Sequence, residues 1–237
     1  LALTDYSAAI EIDAEKPEYY FARASIYLTN NEDQAAENDL TKAIELDPTN
    51  AEAYYQRAMM FFKQEEFNKA LTDVNQAIRI NPSSEEAYIN RGNMYVALKN
   101  YAAASRDFNQ AIRMNPSRPD GYYHRGVLSQ IQSRKAEALT DYNKAISLDS
   151  TYLNAYVKRG DLRVIDEKYD EAIEDYSAAL RINPSFAKAY YHRAKLYARF
   201  KDWRKALADL NQAVKSDRKI PTLLMDRGVA YREVKDY

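Results

Sequence analysis

The sequence contains no cysteine, and glycine and proline are scarce, with five and seven residues among 237. The missing thiols exclude a disulfide framework, thiolate metal sites and a cysteine nucleophile, and they leave a cytoplasmic, periplasmic or secreted location open. Because glycine and proline mark turns, their scarcity favours long helices over a turn-rich sheet. The composition therefore indicates a helical protein.

Charge of one sign and chemically active groups are also lacking. Lys and Arg number 34 against 35 Asp and Glu, which argues against affinity built on phosphate neutralisation. No apolar run approaches the roughly 18 residues of a membrane span. The two histidines, His124 and His192, have no partners at ligand spacing, and the chain has no phosphate-binding glycine loop, nucleophile elbow or HExxH motif. We predict no enzyme activity, no metal and no cofactor.

What the sequence does contain is a period of 34 residues. Two alanine series keep this period without a gap, and an aromatic series follows it as well. The Asn-Pro or Asp-Pro pairs share the period, with separations of 34, 34 and twice 34 residues. The alanines are Ala2, Ala36, Ala70, Ala104, Ala138, Ala172, Ala206 and Ala9, Ala43, Ala77, Ala111, Ala145, Ala179, Ala213; the aromatics are Tyr20, Tyr54, Tyr88, Tyr122, Tyr156, Tyr190; the prolines are Pro48, Pro82, Pro116, Pro184. A fixed period of this length indicates a repeat architecture.

Each period reads as two amphipathic helices. In residues 51–84, apolar side chains recur at three- and four-residue steps, first around Tyr54 and Phe61 and again around Val74 and Ile78. A break at residues 64–66 separates the first helix of the repeat, the leading helix, from the second, the trailing helix. The trailing helix ends at the Asn-Pro pair because proline cannot continue a helix. One pair buries too little apolar surface alone, so each repeat depends on its neighbours.

This order of aromatic, small, alanine and proline positions resembles the tetratricopeptide repeat over the whole chain. The resemblance implies an all-α, right-handed superhelical solenoid of antiparallel helix pairs. It divides the chain into a trailing helix in residues 1–16, six full repeats, and a leading helix in residues 221–237, as a fragment of a longer protein. The full repeats are residues 17–50, 51–84, 85–118, 119–152, 153–186 and 187–220.

A second periodic feature is polar. Every copy has an arginine on the leading helix and an aspartate on the trailing helix. The arginines are Arg23, Arg57, Arg91, Arg125, Arg159, Arg193 and Arg227, and the aspartates are Asp5, Asp39, Asp73, Asp107, Asp141, Asp175 and Asp209. We predict a ladder of bidentate Arg–Asp ion pairs between neighbouring helices, each contributing about 0 to 1 kcal/mol as a partly exposed pair. The alternative is two independent solvated positions.

The resemblance also implies that the leading helices build the concave wall of the superhelix. The candidate binding residues on this wall are Phe21, Tyr55, Met59, Phe62, Ile89, Asn90, Asn93, Tyr123, His124, Lys158, Lys188, Tyr191, His192, Lys195 and Arg199. A wall rich in aromatic and aliphatic groups is typical of a binding surface. Alternatively, some of these rings pack against the adjacent helix.

Charge is unevenly spread along the chain. Residues 1–118 carry 12 basic and 18 acidic side chains, and residues 119–237 carry 22 and 17. Such a gradient would orient an extended peptide with its acidic part toward the C-terminal end, or it reflects ordinary solvation.

The resemblance implies a scaffold or adaptor that binds a peptide or helix of another protein. A narrower alternative is a co-chaperone that grips a C-terminal carboxylate: Asn93 matches one asparagine of that subgroup, but Ile89 replaces its lysine and His124 its second asparagine. Nucleic-acid binding is another alternative, because residues 187–237 hold 13 basic against 6 acidic groups and Trp203 could stack on bases. The acidic N-terminal half argues against it.

Self-association is the remaining alternative. Seven repeats would need 238 residues, one more than this chain has. A leading helix of one molecule and a trailing helix of another could then form a composite repeat, in a head-to-tail assembly that covers apolar residues such as Leu3, Tyr6, Val229 and Tyr231.

Overall fold

The computed structural model describes residues 1–217 and 221–235, and the regular structure in these residues is entirely α-helical. The helices are α1 (Ala2–Ile12), α2 (Pro17–Asn30), α3 (Asp33–Leu46), α4 (Ala51–Lys63), α5 (Phe67–Ile80), α6 (Glu85–Ala97), α7 (Tyr101–Met114), α8 (Pro119–Ile131), α9 (Lys135–Leu148), α10 (Leu153–Ile165), α11 (Tyr169–Ile182), α12 (Ala187–Arg199), α13 (Trp203–Ser216) and α14 (Pro221–Lys235). The last three residues of the predicted repeat 187–220 and the last two of segment 221–237 lie outside the described residues.

The chain forms two compact units, Leu1–Pro116 (unit 1, with α1 to α7) and Ser117–Tyr237 (unit 2, with α8 to α14). In unit 1, α2 packs against α3, α4 against α5 and α6 against α7. In unit 2, α8 packs against α9, α10 against α11 and α12 against α13, and α14 adds to α13. The even-numbered helices are therefore the leading helices. The predicted all-α fold of consecutive helix pairs is confirmed.

A left-handed residue closes the turn between leading and trailing helices in every complete pair. These residues are Asn31, Glu65, Lys99, Ser133, Glu167 and Lys201, with φ between 57° and 61°. The backbone N–H of the next residue donates a hydrogen bond back across the turn, for example from Glu66 to the Phe61 carbonyl at 2.9 Å. This bond satisfies a carbonyl at the end of the leading helix. This turn sends the chain back along the leading helix.

Small and large side chains fit together where a leading helix meets its trailing helix. A Cβ added to Gly126 would lie 2.7 Å from Cε1 of Tyr142, and one added to Gly160 would lie 2.8 Å from Cε1 of Tyr176. Glycine thus stands opposite aromatic rings. Where alanine holds the same position, the residue sixteen places later is aliphatic, in the pairs Ala24 with Leu40, Ala58 with Val74, and Ala194 with Leu210.

Candidate functional site

In unit 1, side chains of consecutive leading helices meet on one face. Asn90 Nδ2 on α6 donates to the Tyr55 hydroxyl on α4 at 2.6 Å, and the Ser25 hydroxyl on α2 donates to Gln56 Oε1 on α4 at 3.3 Å. The three leading helices are therefore linked side by side. We use the name unit 1 face for the predicted wall residues of these three helices, which are Phe21, Tyr55, Met59, Phe62, Asn90 and Asn93.

The apolar members of the unit 1 face are anchored in the core. Phe21 packs against Ala24 and Leu40, while Tyr55, Met59 and Phe62 pack against the neighbouring core cluster. Each remains partly exposed. Rings held this way present apolar area at a small entropic cost when a ligand binds.

Tyr55 borders a cleft of about 340 Å³ that also contacts the N-terminal turn of α4. Burial raises the pKa of Tyr55 above its ordinary value, and a hydrogen bond with the Glu86 carboxylate adds to this rise. The hydroxyl therefore stays neutral and acts as a hydrogen-bonding group. Glu52 and Glu86 are exposed beside it and make this rim acidic.

The corresponding surface in unit 2 is built around Asp161 on α10. One oxygen of this carboxylate, Oδ1, accepts from the Tyr176 hydroxyl at 2.9 Å and from His192 Nδ1 on α12 at 3.0 Å. The rings of Tyr176 and Tyr191 lie 5.5 Å and 6.0 Å from the His192 ring. We name this surface the unit 2 face; it comprises Tyr123, His124, Lys158, Asp161, Tyr191, His192 and Lys195.

Burial and neighbouring groups shift the acid–base behaviour of the unit 2 face. Burial would raise the pKa of Asp161, but the hydrogen bond and charge of His192, the hydrogen bond from Tyr176 and the charge of Lys158 hold it below its ordinary value. Burial lowers the pKa of His124, with partial opposition from Asp120, and burial raises the pKa of Tyr123. Asp161 is thus a fixed negative charge surrounded by hydrogen-bond donors.

The exposed cations of this region lie on α12. Lys188, Lys195 and Arg199 are all exposed. Lys195 Nζ lies 5.5 Å from the centre of the Tyr191 ring, and Arg199 Cζ lies 4.8 Å from that of Tyr169. Such cation–π contacts orient the charged groups while leaving them exposed to solvent.

Ile89, predicted for the binding wall, is buried instead, and so is Val157 at the same repeat position. Ile89 is 7% exposed and Val157 is 3% exposed, and both belong to the core. Tyrosines hold the same repeat position at residues 55, 123 and 191 and are partly exposed. The shorter aliphatic side chains end inside the helix interface, so Ile89 presents little surface to a ligand.

The arginine and aspartate series come together as bidentate pairs. In six copies, Nε and Nη2 of the arginine reach the carboxylate of the aspartate sixteen residues later, at 2.6 to 3.2 Å. The pairs are Arg23 with Asp39, Arg57 with Asp73, Arg91 with Asp107, Arg125 with Asp141, Arg159 with Asp175, and Arg193 with Asp209. Each pair joins a leading helix to the trailing helix of the same repeat.

A third contact, not anticipated from the sequence, ties arginines of this ladder to the preceding repeat. In five copies Nη1 donates to the side chain sixteen residues earlier, at 2.7 to 2.9 Å. The acceptors are Ser7, Thr41, Asn75, Asn143 and Ser177. One guanidinium therefore connects three helices and two repeats.

The six paired aspartates of the ladder are buried, which changes the expected energetics. Each of these aspartates is only 2 to 5% exposed. The value of about 0 to 1 kcal/mol expected for a partly exposed pair therefore does not apply. Removing one partner of a buried pair leaves a charge in the interior and costs about 3 to 5 kcal/mol.

The described residues show neither a metal-binding cluster nor a membrane-spanning helix. Among residues 1–217 and 221–235, no group of three or more His, Asp or Glu side chains is arranged to hold a metal ion. Over the same residues, no helix has the length and apolar content needed to cross a membrane.

Comparison with solved structures finds the same architecture elsewhere. A tetratricopeptide repeat protein from Parabacteroides merdae has a TM-score of 0.78 at 22% identity, over 97% of this chain and 91% of that one. YrrB, described as a TPR protein with an unusual peptide-binding site, has a TM-score of 0.53 at 26% identity, over 80% and 97%. The Cut9–Hcn1 assembly of the APC/C has a TM-score of 0.77 at 18% identity, over 95% of this chain but 45% of that one. This chain thus spans less than half of that last relative.

Family models give the corresponding result at the level of sequence. Models described as tetratricopeptide repeat match residues 17–50, 56–122, 119–152 and 187–220, and one described as TPR repeat matches residues 160–199. No curated protein sequence matches the chain significantly. Together, the matched segments cover most of the chain, so this protein belongs to the tetratricopeptide repeat family.

Proposed function

We propose that the chain is a protein-interaction scaffold whose unit 1 and unit 2 faces bind a peptide or helical segment of a partner. Proteins of this repeat family generally act as interaction scaffolds, and YrrB, among the similar structures, is described as having a peptide-binding site. The observation that carries the proposal is the composition of the two faces: partly exposed aromatic rings, anchored by the core, alternate with polar groups. Such surfaces provide apolar contact area and hydrogen-bonding partners together.

The two faces differ in charge, which supports different ligand preferences. Glu52 and Glu86 edge the unit 1 face, whereas Lys188, Lys195 and Arg199 lie exposed on α12 of unit 2. We therefore expect the unit 1 face to prefer basic segments and the unit 2 face to prefer acidic ones.

Panning a random dodecapeptide library against the whole chain tests this function. Enriched peptides are then titrated by fluorescence anisotropy against Asn93→Arg, which places a bulky charge on the unit 1 face, and Lys158→Glu, which reverses a charge on the unit 2 face. We expect at least one of these variants to weaken a given peptide about tenfold or more, equivalent to about 1.4 kcal/mol.

Matched controls place the same changes on trailing helices. Asn68→Arg on α5 and Lys144→Glu on α9 alter exposed residues away from both faces. Equal weakening by the controls, or a library that yields no binding peptide, would contradict the proposal.

A second candidate function, association between copies of this chain, is supported by the uncovered face of α14. Leu224 and Tyr231 are 46% and 45% exposed, and a Cβ added to Gly228 would meet nothing within 4 Å. Elsewhere such glycines receive an aromatic ring from a trailing helix. On α1, which buries no residue, Tyr6 holds the repeat position of Tyr142 and Tyr176. A second copy could therefore place Tyr6 against Gly228.

Light scattering across a dilution series measures this association. We expect the average mass to rise with concentration for the chain itself and to stay monomeric for Gly228→Leu, which would fill the space that the tyrosine ring requires. A monomer at high concentration in the unsubstituted chain would rule out the association.

A further inference from the structure

The leading helices carry a large buried aliphatic residue at one repeat position, and α14 departs from this rule. The series reads Ile26, Met60, Met94, Leu128, Leu162 and Leu196, and it ends in Ala230. The five residues from Met60 to Leu196 are at most 4% exposed. Met94, Leu162 and Leu196 belong to core clusters that include residues of the preceding helix pair, so alanine at residue 230 leaves part of the corresponding space empty.

A cleft of about 250 Å³ lies at this point in unit 2. Its apolar walls come from α12, α13 and α14. They are formed by Ala194, Ala198, Trp203, Leu210, Val229 and Ala230. Two of the α12 residues are alanines, so the missing volume is not recovered from the opposite wall. Trp203 is the only tryptophan in the sequence.

The size of the cleft suits one large apolar side chain. An engineered protein cavity of about 150 Å³ with apolar walls stays dry and binds benzene. The present cleft exceeds that volume and opens to solvent at Val229, which is 41% exposed. A side chain the size of phenylalanine can therefore enter from outside without opening the core.

The charged residues that line the cleft favour one sign of charge on the peptide residue next to that side chain. Lys195 and Asp226 line the cleft with the apolar residues. On the same helix as Lys195, Lys188 and Arg199 are also exposed, whereas Asp226 is only partly exposed. Of the two charged residues that line the cleft, Lys195 is the more exposed, and its ammonium group complements a carboxylate.

We propose that the cleft between α12, α13 and α14 is a subsite for a phenylalanine-sized apolar side chain next to an acidic residue of a bound peptide. This inference rests on the proposed peptide-binding function and specifies one anchor within it. A single apolar anchor in a preformed pocket typically dominates the energetics of a peptide interface.

Trp203 fluorescence gives a direct readout of the subsite in the whole chain. N-acetyl-phenylalaninamide, which does not absorb at the tryptophan excitation wavelength, serves as the first probe. We expect a saturable change in Trp203 emission with a dissociation constant on the order of millimolar, the range for a fragment of this size. The same titration on Ala230→Leu, which restores the residue type found in the other leading helices, should show no saturable change.

The stability of the variants separates filling of the cleft from damage to the fold. Ala230→Leu should melt at or above the temperature of the parent chain, because it occupies existing space. Ala198→Leu fills the cleft from the opposite wall and gives a second reading if the first variant does not fold. Ala136→Leu, at an exposed position on α9, is the control and should bind the probe like the parent.

The charge preference is tested with the blocked dipeptides N-acetyl-Phe-Glu-amide and N-acetyl-Phe-Lys-amide. We expect the acidic dipeptide to bind several-fold more tightly, and Lys195→Gln to remove most of that difference. Unchanged probe binding by both cleft-filling variants, no saturable change in the parent chain, or tighter binding of the basic dipeptide would overturn the inference. Because these probes need only the cleft, a failed library selection with positive probe binding would count against the proposed function and not against the subsite.

Discussion

We expect Arg57→Met to lower the free energy of unfolding by about 3 to 5 kcal/mol. Arg57 holds both carboxylate oxygens of Asp73, at 2.7 and 2.9 Å, and also donates to the Thr41 hydroxyl at 2.9 Å. The Arg57 and Asp73 side chains are 16% and 6% exposed. Without the guanidinium the carboxylate would remain buried with no counter-charge. Urea unfolding of the parent and the variant measures the loss.

Two further variants show whether the loss comes from the stranded charge. In Arg57→Met with Asp73→Leu, both charged groups are gone, and most of the stability should return because an apolar pair of similar volume is often neutral or favourable at such a site. Lys205→Met removes an exposed ion pair with Asp202, whose side chains are 64% and 35% exposed, and should change little. A small effect of Arg57→Met, similar to that of Lys205→Met, would contradict a buried ladder.

We expect Gly92→Ala to lower the free energy of unfolding by about 1 to 3 kcal/mol. In an exposed helix interior, the same change normally raises stability by about 0.5 to 1 kcal/mol, so here the sign is reversed. Three atoms of the Phe108 ring lie within 3.0 Å of where the new Cβ would stand, and that ring is fully buried. In a close-packed interior, a shift of this ring displaces its neighbours.

Gly228 is the matched control at the equivalent position of α14. An added Cβ there meets nothing within 4 Å, so Gly228→Ala should raise stability by about 0.5 to 1 kcal/mol. Combining Gly92→Ala with Phe108→Leu recreates the alanine–aliphatic pairing of Ala24 with Leu40. A double-mutant cycle should give a favourable coupling of about 1 to 3 kcal/mol. Additive effects would show that glycine and ring do not compete for the same space.

The fold could be predicted from the sequence because its signals repeat. Each 34-residue period contains the same helix breaks, and Pro17, Pro119 and Pro221 stand at the first positions of α2, α8 and α14. The side chains at a given repeat position therefore share one environment. Pairings such as Arg57 with Asp73 could be anticipated from a constant separation of sixteen residues.

Burial was harder to predict, because it depends on side-chain length as well as repeat position. Tyr55 and Ile89 occupy the same position, yet only the tyrosine reaches the surface. The aspartates of the ladder were expected to be partly exposed for a similar reason: a periodic polar series does not reveal how deeply it lies.

Two features have signals in the sequence that become interpretable only with the structure. The acceptors at Ser7, Thr41 and Asn75 recur every 34 residues and are all short hydrogen-bonding side chains. Ala230 interrupts a series of larger aliphatic residues. The acceptor series can be interpreted only once the structure places the arginine guanidinium beside it. Ala230 can be interpreted only once the structure shows the cleft next to it.

Photo-crosslinking tests most directly whether the leading helices present the binding surfaces. A library-selected peptide carrying benzoylphenylalanine is irradiated with the whole chain, and the linked residues are identified by mass spectrometry. We expect the crosslinks to fall on the unit 1 face, on the unit 2 face or in the cleft between α12, α13 and α14. Crosslinks confined to the trailing helices α3, α5, α7, α9 or α11 would contradict the claim.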